Sequence, residues 1–430
     1  MDFLKSQIIL KDGIYYFDWT ASGLGLKSVE DEMLNILQNY SNTHSECGAN
    51  AKATSELYEF SRKKIKEYLE LGDDFYLLGC GFGSTAAIKK FWELMGVYIP
   101  PMTKNALFSD EAWQERLKTA PLVITGPFEH HSNELCLRYL FCEHKRIGLD
   151  KNGLFDYDDF ELFLKNEVSK DPNRRIFISI SAASNVTGIK TDTAKIRQIQ
   201  EKIAPKAVIA VDASSLIAHE NISNTHFDAL FLSPHKLLGG PGSCGLLALR
   251  KSLVNANIPT FAGGGVVEYV SRKSARFTKD FERLEEAGTP PILELIKAYL
   301  ALKERNNFGL DEIRKKEQAL MKHFEAGLNK IAHIINYCPK NCDRVPIFAF
   351  NCDLVGCYDF AKVLSEKYLV AVRAGCSCAG PYGHDILGLE DDFEPYFRPG
   401  WVRVSLHYSQ DFSDIEYLLS AIKSCVKHFC

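Results

Sequence analysis

The stretch FDALFLSPHKLLGGPGSCGLLALR, residues 227–250, decides the fold. It opens on an apolar run, Ala229 to Leu232, breaks at Ser233-Pro234-His235-Lys236, turns through glycines and resumes from Gly245 to Arg250. Two short apolar runs bounded by proline and glycine read as buried strands. A lysine just past the end of such a strand is well placed for chemistry. A Schiff base needs an amine in a dry, preorganised pocket, where desolvation or neighbouring cations lower its pKa and supply the nucleophilic form. Taken alone, Ser-Pro-His-Lys describes a surface lysine beside a loop better than a reactive one, and the surrounding segments decide otherwise.

Similar runs stand on either side: PLVIT (121–125), RIFISIS (175–181) and AVIAVDAS (207–214). They alternate with the helical-period segments YDDFELFLKNEV (157–168) and TDTAKIRQIQEKI (191–203). Strand and helix in alternation read as an α/β layer with a mostly parallel sheet buried on both faces. After EEAGTPP (285–291) the character changes. ILELIKAYLALKER (292–305) and LDEIRKKEQALMKHFEAGLNKI (310–331) are long amphipathic helices leading to a smaller domain. That domain holds IFAFNC (347–352), YLVAVRAG (368–375), WVRVSL (401–406) and a last helix, DIEYLLSAIKSCVKHF (414–429), which together read as an antiparallel sheet covered by helices. A chain of 430 residues exceeds the size at which one core keeps growing. The expected division is a large domain at 26–294 and a smaller α+β domain at 295–430 joined by the N-terminal segment 1–25.

Apolar residues at 46% and charged residues at 25% exclude disordered and fibrous classes. A net charge of -4 gives no general pull toward nucleic acid or an anionic membrane. The N-terminus lacks a signal-peptide core and no apolar run reaches membrane-spanning length, so a cytoplasmic location is expected, with neither nucleic acid nor membrane as partner. The 13 cysteines are scattered rather than crowded into a disulfide framework. Cys376-Ser377-Cys378 is closer than a zinc C-x-x-C pair and has no second pair beside it, so no metal is expected.

Two further strand ends carry candidate groups. Asp212 closes AVIAVD and is either a helix N-cap or a buried carboxylate able to keep a ring nitrogen protonated. Glycines precede Ser84 and Thr85 in GCGFGSTAAIKKFW (79–92), where backbone N–H groups and hydroxyls at a helix start either receive a phosphate or simply cap the helix. The dinucleotide spacing G-x-G-x-x-G is not met there.

In order along the chain, YFDWTASG, GSTAAI, GPFEHHSNE, ISAASNVTG, VDAS, SPHK, EAGTP, AVRAGCSCAG and VRVSL resemble the class V aminotransferases. Within that family they resemble the cysteine desulfurases and selenocysteine lyases of the NifS and SufS kind. The resemblance implies the PLP-dependent transferase fold of the aspartate aminotransferase type (fold type I), pyridoxal 5'-phosphate (PLP) as cofactor, and a homodimer acting on a small amino acid with a possible sulfur-acceptor protein. It makes Lys236 the cofactor-carrying lysine and Asp212 the partner of the pyridine nitrogen. His130 becomes the imidazole stacked on the ring, a candidate proton shuttle, with His131 structural. Asn185 falls near the cofactor's phenolic oxygen and the substrate carboxylate. Ser84, Thr85, Ser233 and His235 become phosphate binders, and Thr289 reaches the phosphate from the neighbouring subunit. Arg403 becomes the fork that holds the substrate carboxylate, with Arg373 helping to shape that pocket. Cys378 becomes the nucleophile that takes sulfur from cysteine and leaves alanine. Cys376 is open to three readings: sulfur relay, protection of the site, or a small apolar residue.

The chain departs from the family pattern at three places. Ser215, in VDASS, stands where the desulfurases place a glutamine beside the phenolic oxygen. The loop reads CSCAG, and IPPMTKNALFSDEAWQERLK (99–118) looks like an insertion. These leave open a transaminase, epimerase or other lyase acting on a different amino acid.

Overall fold

The computed structural model describes residues 2–43, 47–255, 257–390 and 400–430. Its central sheet has seven strands in the order Phe75–Cys80, Gly245–Arg250, Ala229–Leu232, Val208–Asp212, Ile176–Ser181, Leu122–Thr125, Glu143–Arg146. Gly245–Arg250 runs antiparallel to both of its neighbours and every other pairing in this sheet is parallel. Side-chain alternation divides each strand between two cores. Ile176, Ile178, Ile209, Val211, Leu230 and Leu246 pack on one face. Phe177, Ala210, Phe231 and Leu247 pack on the other, against Ala87, Ile88, Phe91 and Trp92 of the helix Gly83–Leu94. Continuous apolar strands are what a sheet covered on both faces requires.

The parallel strands all end at one edge. Ser181 and Asp212 are in register there, and the chain leaves Leu232 through Ser233 into the 3-10 turn Pro234–Lys236. Gly240 closes that turn tightly: a Cβ on it would lie 1.9 Å from the Pro234 carbonyl oxygen, so only glycine fits.

A second sheet has the order Ile334–Asn336, Ile347–Cys352, Trp401–Ser405, Arg373–Gly375, and is antiparallel throughout. The helices Leu310–Leu328 and Phe412–Phe429 cover it, and Phe324, Phe348, Val404, Leu418 and Ile422 share one core. Asp411 and Asp414 form a capping box at the start of the last helix. The stretch YLVAVRAG splits into two strands. Val370–Ala371 pairs in parallel with Tyr15–Tyr16 of the N-terminal segment, and only Arg373–Gly375 joins the antiparallel sheet. Phe17 lies in the second core and Trp19 in the first, so the N-terminal segment laces the two together.

The boundary expected between 294 and 295 falls inside the helix Ile292–Phe308. Leu295, Ile296, Ala298, Ala301 and Leu302 of that helix belong to the large-sheet core. The break in the helical run comes at Gly309, whose φ of 94° ends one helix and starts the next. The segment 99–118 forms two short helices, Pro101–Leu107 and Asp110–Leu117.

Candidate active site

A cleft of about 310 Å³ opens where the strand ends of the large sheet face the small sheet. Lys236, Asp212, Ser215, Ser84, Thr85, Ser233, His235, His130 and Asn185 line it from the large-sheet side. Arg403, Arg373 and Cys378 line it from the other. Every expected site residue except Thr289 therefore meets in one place. Thr289 is exposed, accepts a hydrogen bond from Asn42 Nδ2 (3.1 Å), and lies outside this cleft of its own chain.

Burial lowers the Lys236 amine from 10.5 to about 8; Arg403 pushes the same way, while Asp212, Cys378 and Asp18 oppose the drop. Asp212 is 5% exposed and its Oδ1 accepts the Ser214 N–H (2.9 Å), so the carboxylate both closes a turn and faces the lysine's charge. Burial, reinforced by Lys236, lowers His130 to about 4, so its ring is neutral near pH 7. The Ser132 N–H donates to His130 Nδ1 (3.1 Å), which assigns the ring proton to Nε2.

Glu129 fixes the turn that carries His130. Its Oε1 accepts from Gly126 N (3.2 Å) and Ser181 N (2.9 Å), and its Oε2 from Asn133 Nδ2 (2.6 Å) and Ser181 Oγ (2.7 Å). Burial raises this carboxyl to about 7, against the bonds from Asn133 and Ser181. The sequence reading assigned Glu129 no role. A buried acid beside a reactive histidine is a signal it could have used.

At the other end, the Ser84 N–H donates to Ser233 Oγ (2.9 Å) at the start of the helix Gly83–Leu94. Thr85 Oγ1 lies 2.6 Å from Ser132 Oγ. Gly83 has φ 55°, and a Cβ there would come within 3.0 Å of His235 Cε1. Burial and Lys236 lower His235 to about 4, so a neutral imidazole joins the hydroxyls of Ser84, Thr85 and Ser233 at a helix start, a set suited to a phosphate.

Asp18 is the second missed residue. Its Oδ1 accepts from Arg403 Nη2 (3.0 Å), and its Oδ2 from Arg373 Nε (3.0 Å) and Nη2 (2.8 Å). Arg403 is 3% exposed and donates through Nη1 to the Asn185 carbonyl oxygen (2.9 Å), while its Nε is buried without a partner. Burial lowers its pKa and Asp18 opposes the drop. The guanidinium is thus fixed in place with N–H groups to spare, as a carboxylate receptor requires. Asn185 Oδ1 and Ser214 Oγ are likewise buried without partners in the cleft wall. Unmatched buried polar atoms of this kind mark a site built for a polar ligand.

Cys378 is exposed, in a loop where Ser377 and Cys378 both take left-handed conformations (φ 53° and 55°). Cys376 is half-buried beside it. Among the described residues no group of three or more acidic, histidine or cysteine side chains could hold a metal ion, and no helix is long and apolar enough to cross a membrane.

A doubly covered α/β sheet with a lysine, an aspartate and a helix start converging at its strand ends defines a fold type I enzyme architecture. The sequence matches the family Aminotransferase class-V over residues 104–418, and the chain belongs to that PLP-dependent family. It is 26% identical over 428 residues to a probable cysteine desulfurase of Pyrococcus abyssi, covering 99% of this chain and 97% of the relative. It is 22% identical to a cysteine desulfurase of Haloferax volcanii, covering 87% and 83%. Among solved structures, the apo cysteine desulfurase of Thermococcus onnurineus superposes with a TM-score of 0.82 at 24% identity, over 99% of this chain and 98% of that one. The Escherichia coli cysteine desulfurase CsdA, in an S-sulfonic acid form, gives 0.78 at 22%, over 100% and 98%. These likenesses show the fold to be the one the sequence reading expected.

The residues present fit PLP. Lys236 would carry it, Asp212 would meet the ring nitrogen, His130 would lie on the ring, and Ser84, Thr85, Ser233 and His235 would hold the phosphate. Ser214, whose buried hydroxyl has no partner, and Ser215 remain for the phenolic side, with Asn185 beside them in the cleft wall.

Proposed function

We propose that this protein converts L-cysteine to L-alanine and receives the sulfur as a persulfide on Cys378, which an acceptor protein or thiol then removes. The observation that carries the reading is the convergence of Lys236, Arg403 and Cys378 on one cleft large enough for a small ligand. Bound PLP supplies an electron sink that weakens the bonds to the substrate's α and β carbons. Arg403, steadied by Asp18 and the Asn185 carbonyl, orients the substrate carboxylate with a two-pronged donor. Neutral His130, with its proton at Nε2, holds and moves a proton on the cofactor's face. The Cys378 thiolate forms a bond to the substrate sulfur as the Cβ–S bond breaks. The released pair stays on carbon, and a proton completes the methyl group of alanine. No external oxidant is needed, because the carbon is reduced as the two sulfurs are joined.

Two further parts belong to the same reading. The chain works as a homodimer in which Thr289 serves the neighbouring cleft; its exposure outside its own cleft, and Phe82 standing 94% exposed at the cleft's mouth, support this. The large domain ends near Gly309 rather than at 294, with the N-terminal segment shared between both cores. All 13 cysteines are free, which suits a reducing compartment such as the cytoplasm.

The test is alanine and sulfide production from L-cysteine with a reductant, in wild type and Cys378→Ala. Both proteins should show the long-wavelength absorption of bound PLP, and only wild type should form alanine. A PLP-loaded wild type that forms none would move the assignment to another amino acid.

A further inference from the structure

The loop that carries Cys378 has a second anchor that the proposed chemistry does not use. Consecutive left-handed conformations at Ser377 and Cys378, neither of them glycine, persist only where the surroundings over-determine them. Two bonds hold Ser377: Asn185 Nδ2 donates to its carbonyl oxygen (2.7 Å) and Trp401 Nε1 to its Oγ (3.2 Å). His131 holds the residues that follow, Cys378 and Gly380. The His131 N–H donates to the Cys378 carbonyl oxygen (2.8 Å), and His131 Nε2 accepts the Gly380 N–H (2.9 Å).

Gly380 opens the eight-residue helix Gly380–Leu387, whose N-cap, Ala379, has no side chain able to accept a hydrogen bond. A first-turn N–H left without a partner is costly to a helix. His131 supplies the missing cap from 249 positions away in sequence. It can do so only as a neutral ring with its proton on Nδ1, because a protonated imidazole has no acceptor. The fit is close: a Cβ on Gly380 would lie 3.1 Å from Nε2.

We propose that His131 is a positioning residue that clamps the Cys378 loop, capping the helix behind it with Nε2 and gripping the Cys378 carbonyl with its backbone N–H. His130 and His131 then divide the work of one dipeptide: the first faces the cofactor's place and the second fixes the thiol's. The side-chain half of the clamp is what substitution can remove.

This inference rests on Cys378 being the sulfur acceptor, but its first test does not need turnover. Amide hydrogen exchange is followed in PLP-loaded wild type, His131→Ala and His131→Gln, without substrate. In His131→Ala the 376–387 segment should exchange on the order of tenfold faster, as loss of a helix cap implies. The 412–429 segment should not change, and His131→Gln, whose amide oxygen can accept the same N–H, should recover most of the protection. With L-cysteine, His131→Ala should lower kcat for alanine formation about tenfold with KM unchanged, if the clamp positions the thiol rather than the substrate. Unchanged exchange at 376–387, or equal loosening of 412–429, overturns the clamp whatever the turnover shows. The expected exchange pattern in a wild type that turns over no cysteine would support the clamp and sink only the desulfurase reading.

Discussion

Lys236 and Cys378 face each other across one cleft on supports of opposite kinds. Lys236 leaves a strand buried on both faces, in a turn fixed by backbone bonds, with its own N–H donating to the Ser233 carbonyl (3.0 Å) and Leu237 N–H to that of Pro234 (2.9 Å). Cys378 sits exposed on a loop whose shape depends on side chains brought from far along the chain: Asn185, Trp401 and His131. The lysine wall is local and backbone-made, and the cysteine wall is assembled. A group that must stay aligned with a cofactor suits the first support, and a thiol that must meet a substrate and then an acceptor suits the second.

The largest effect should come from the lysine wall. Lys236→Ala should purify without the long-wavelength absorption of lysine-bound PLP and lose all turnover, while remaining folded by circular dichroism. A normal absorption band in that variant would break the comparison at its root, because the wall's design would then serve something else. Next comes the arginine pair. Asp18→Asn keeps the shape but removes the charge that fixes Arg403 and Arg373, and a charge-assisted bond of roughly 1.5–3 kcal/mol translates to a KM for cysteine about tenfold to a hundredfold higher. Steady-state kinetics with kcat little changed would place Asp18 in substrate binding. A fall in kcat at constant KM would place it in the chemistry instead. Smaller again, Gly83→Ala forces φ 55° on a residue with a Cβ only 3.0 Å from His235 Cε1. A strain of about 1–2 kcal/mol predicts roughly tenfold weaker PLP retention on dialysis, with no change if the phosphate binds elsewhere.

The same contrast explains what could be read from the sequence. The strands Ile176–Ser181, Val208–Asp212 and Ala229–Leu232 were legible because burial on both faces writes an unbroken apolar run. Lys236 and Asp212 came with them, since each stands at the end of such a run. The cysteine wall was legible only through motif resemblance. Asp18 was quoted within YFDWTASG without a role, because its work depends on meeting Arg373 and Arg403, 355 and 385 positions away. His131 was read as structural, and the Gly380 contact that gives that word content spans 249 positions. The short strands Tyr15–Tyr16 and Val370–Ala371 carry too few residues for a periodic signal; their pairing is set by the cores on either side. The boundary at 294 followed a change in composition at EEAGTPP, whereas the helix runs on to Phe308 and its residues pack in the large-sheet core as far as Leu302.

The finest test of the lysine wall is thermodynamic. In the protein without PLP, burial holds Lys236 near 8 against an ordinary 10.5, so folding forces a reluctant charge into the cleft at neutral pH. Between about pH 8 and 10.5 the unfolded chain binds the proton that the folded chain has released, so this group adds stability as pH rises through that window. Below pH 8 both states are protonated and the full cost is present. At 1.36 kcal/mol per pH unit the cost has an upper bound of about 3 kcal/mol, which water in the open cleft reduces because Lys236 is only partly buried. Lys236→Met keeps the length and removes the charge, so the PLP-free variant should melt a few degrees above PLP-free wild type at pH 7. The gap should narrow as pH climbs through 8 toward 10.5. A variant no more stable than wild type at pH 7 would mean that Asp212 already repays the lysine's burial, and that the two walls differ in geometry but not in stored electrostatic cost.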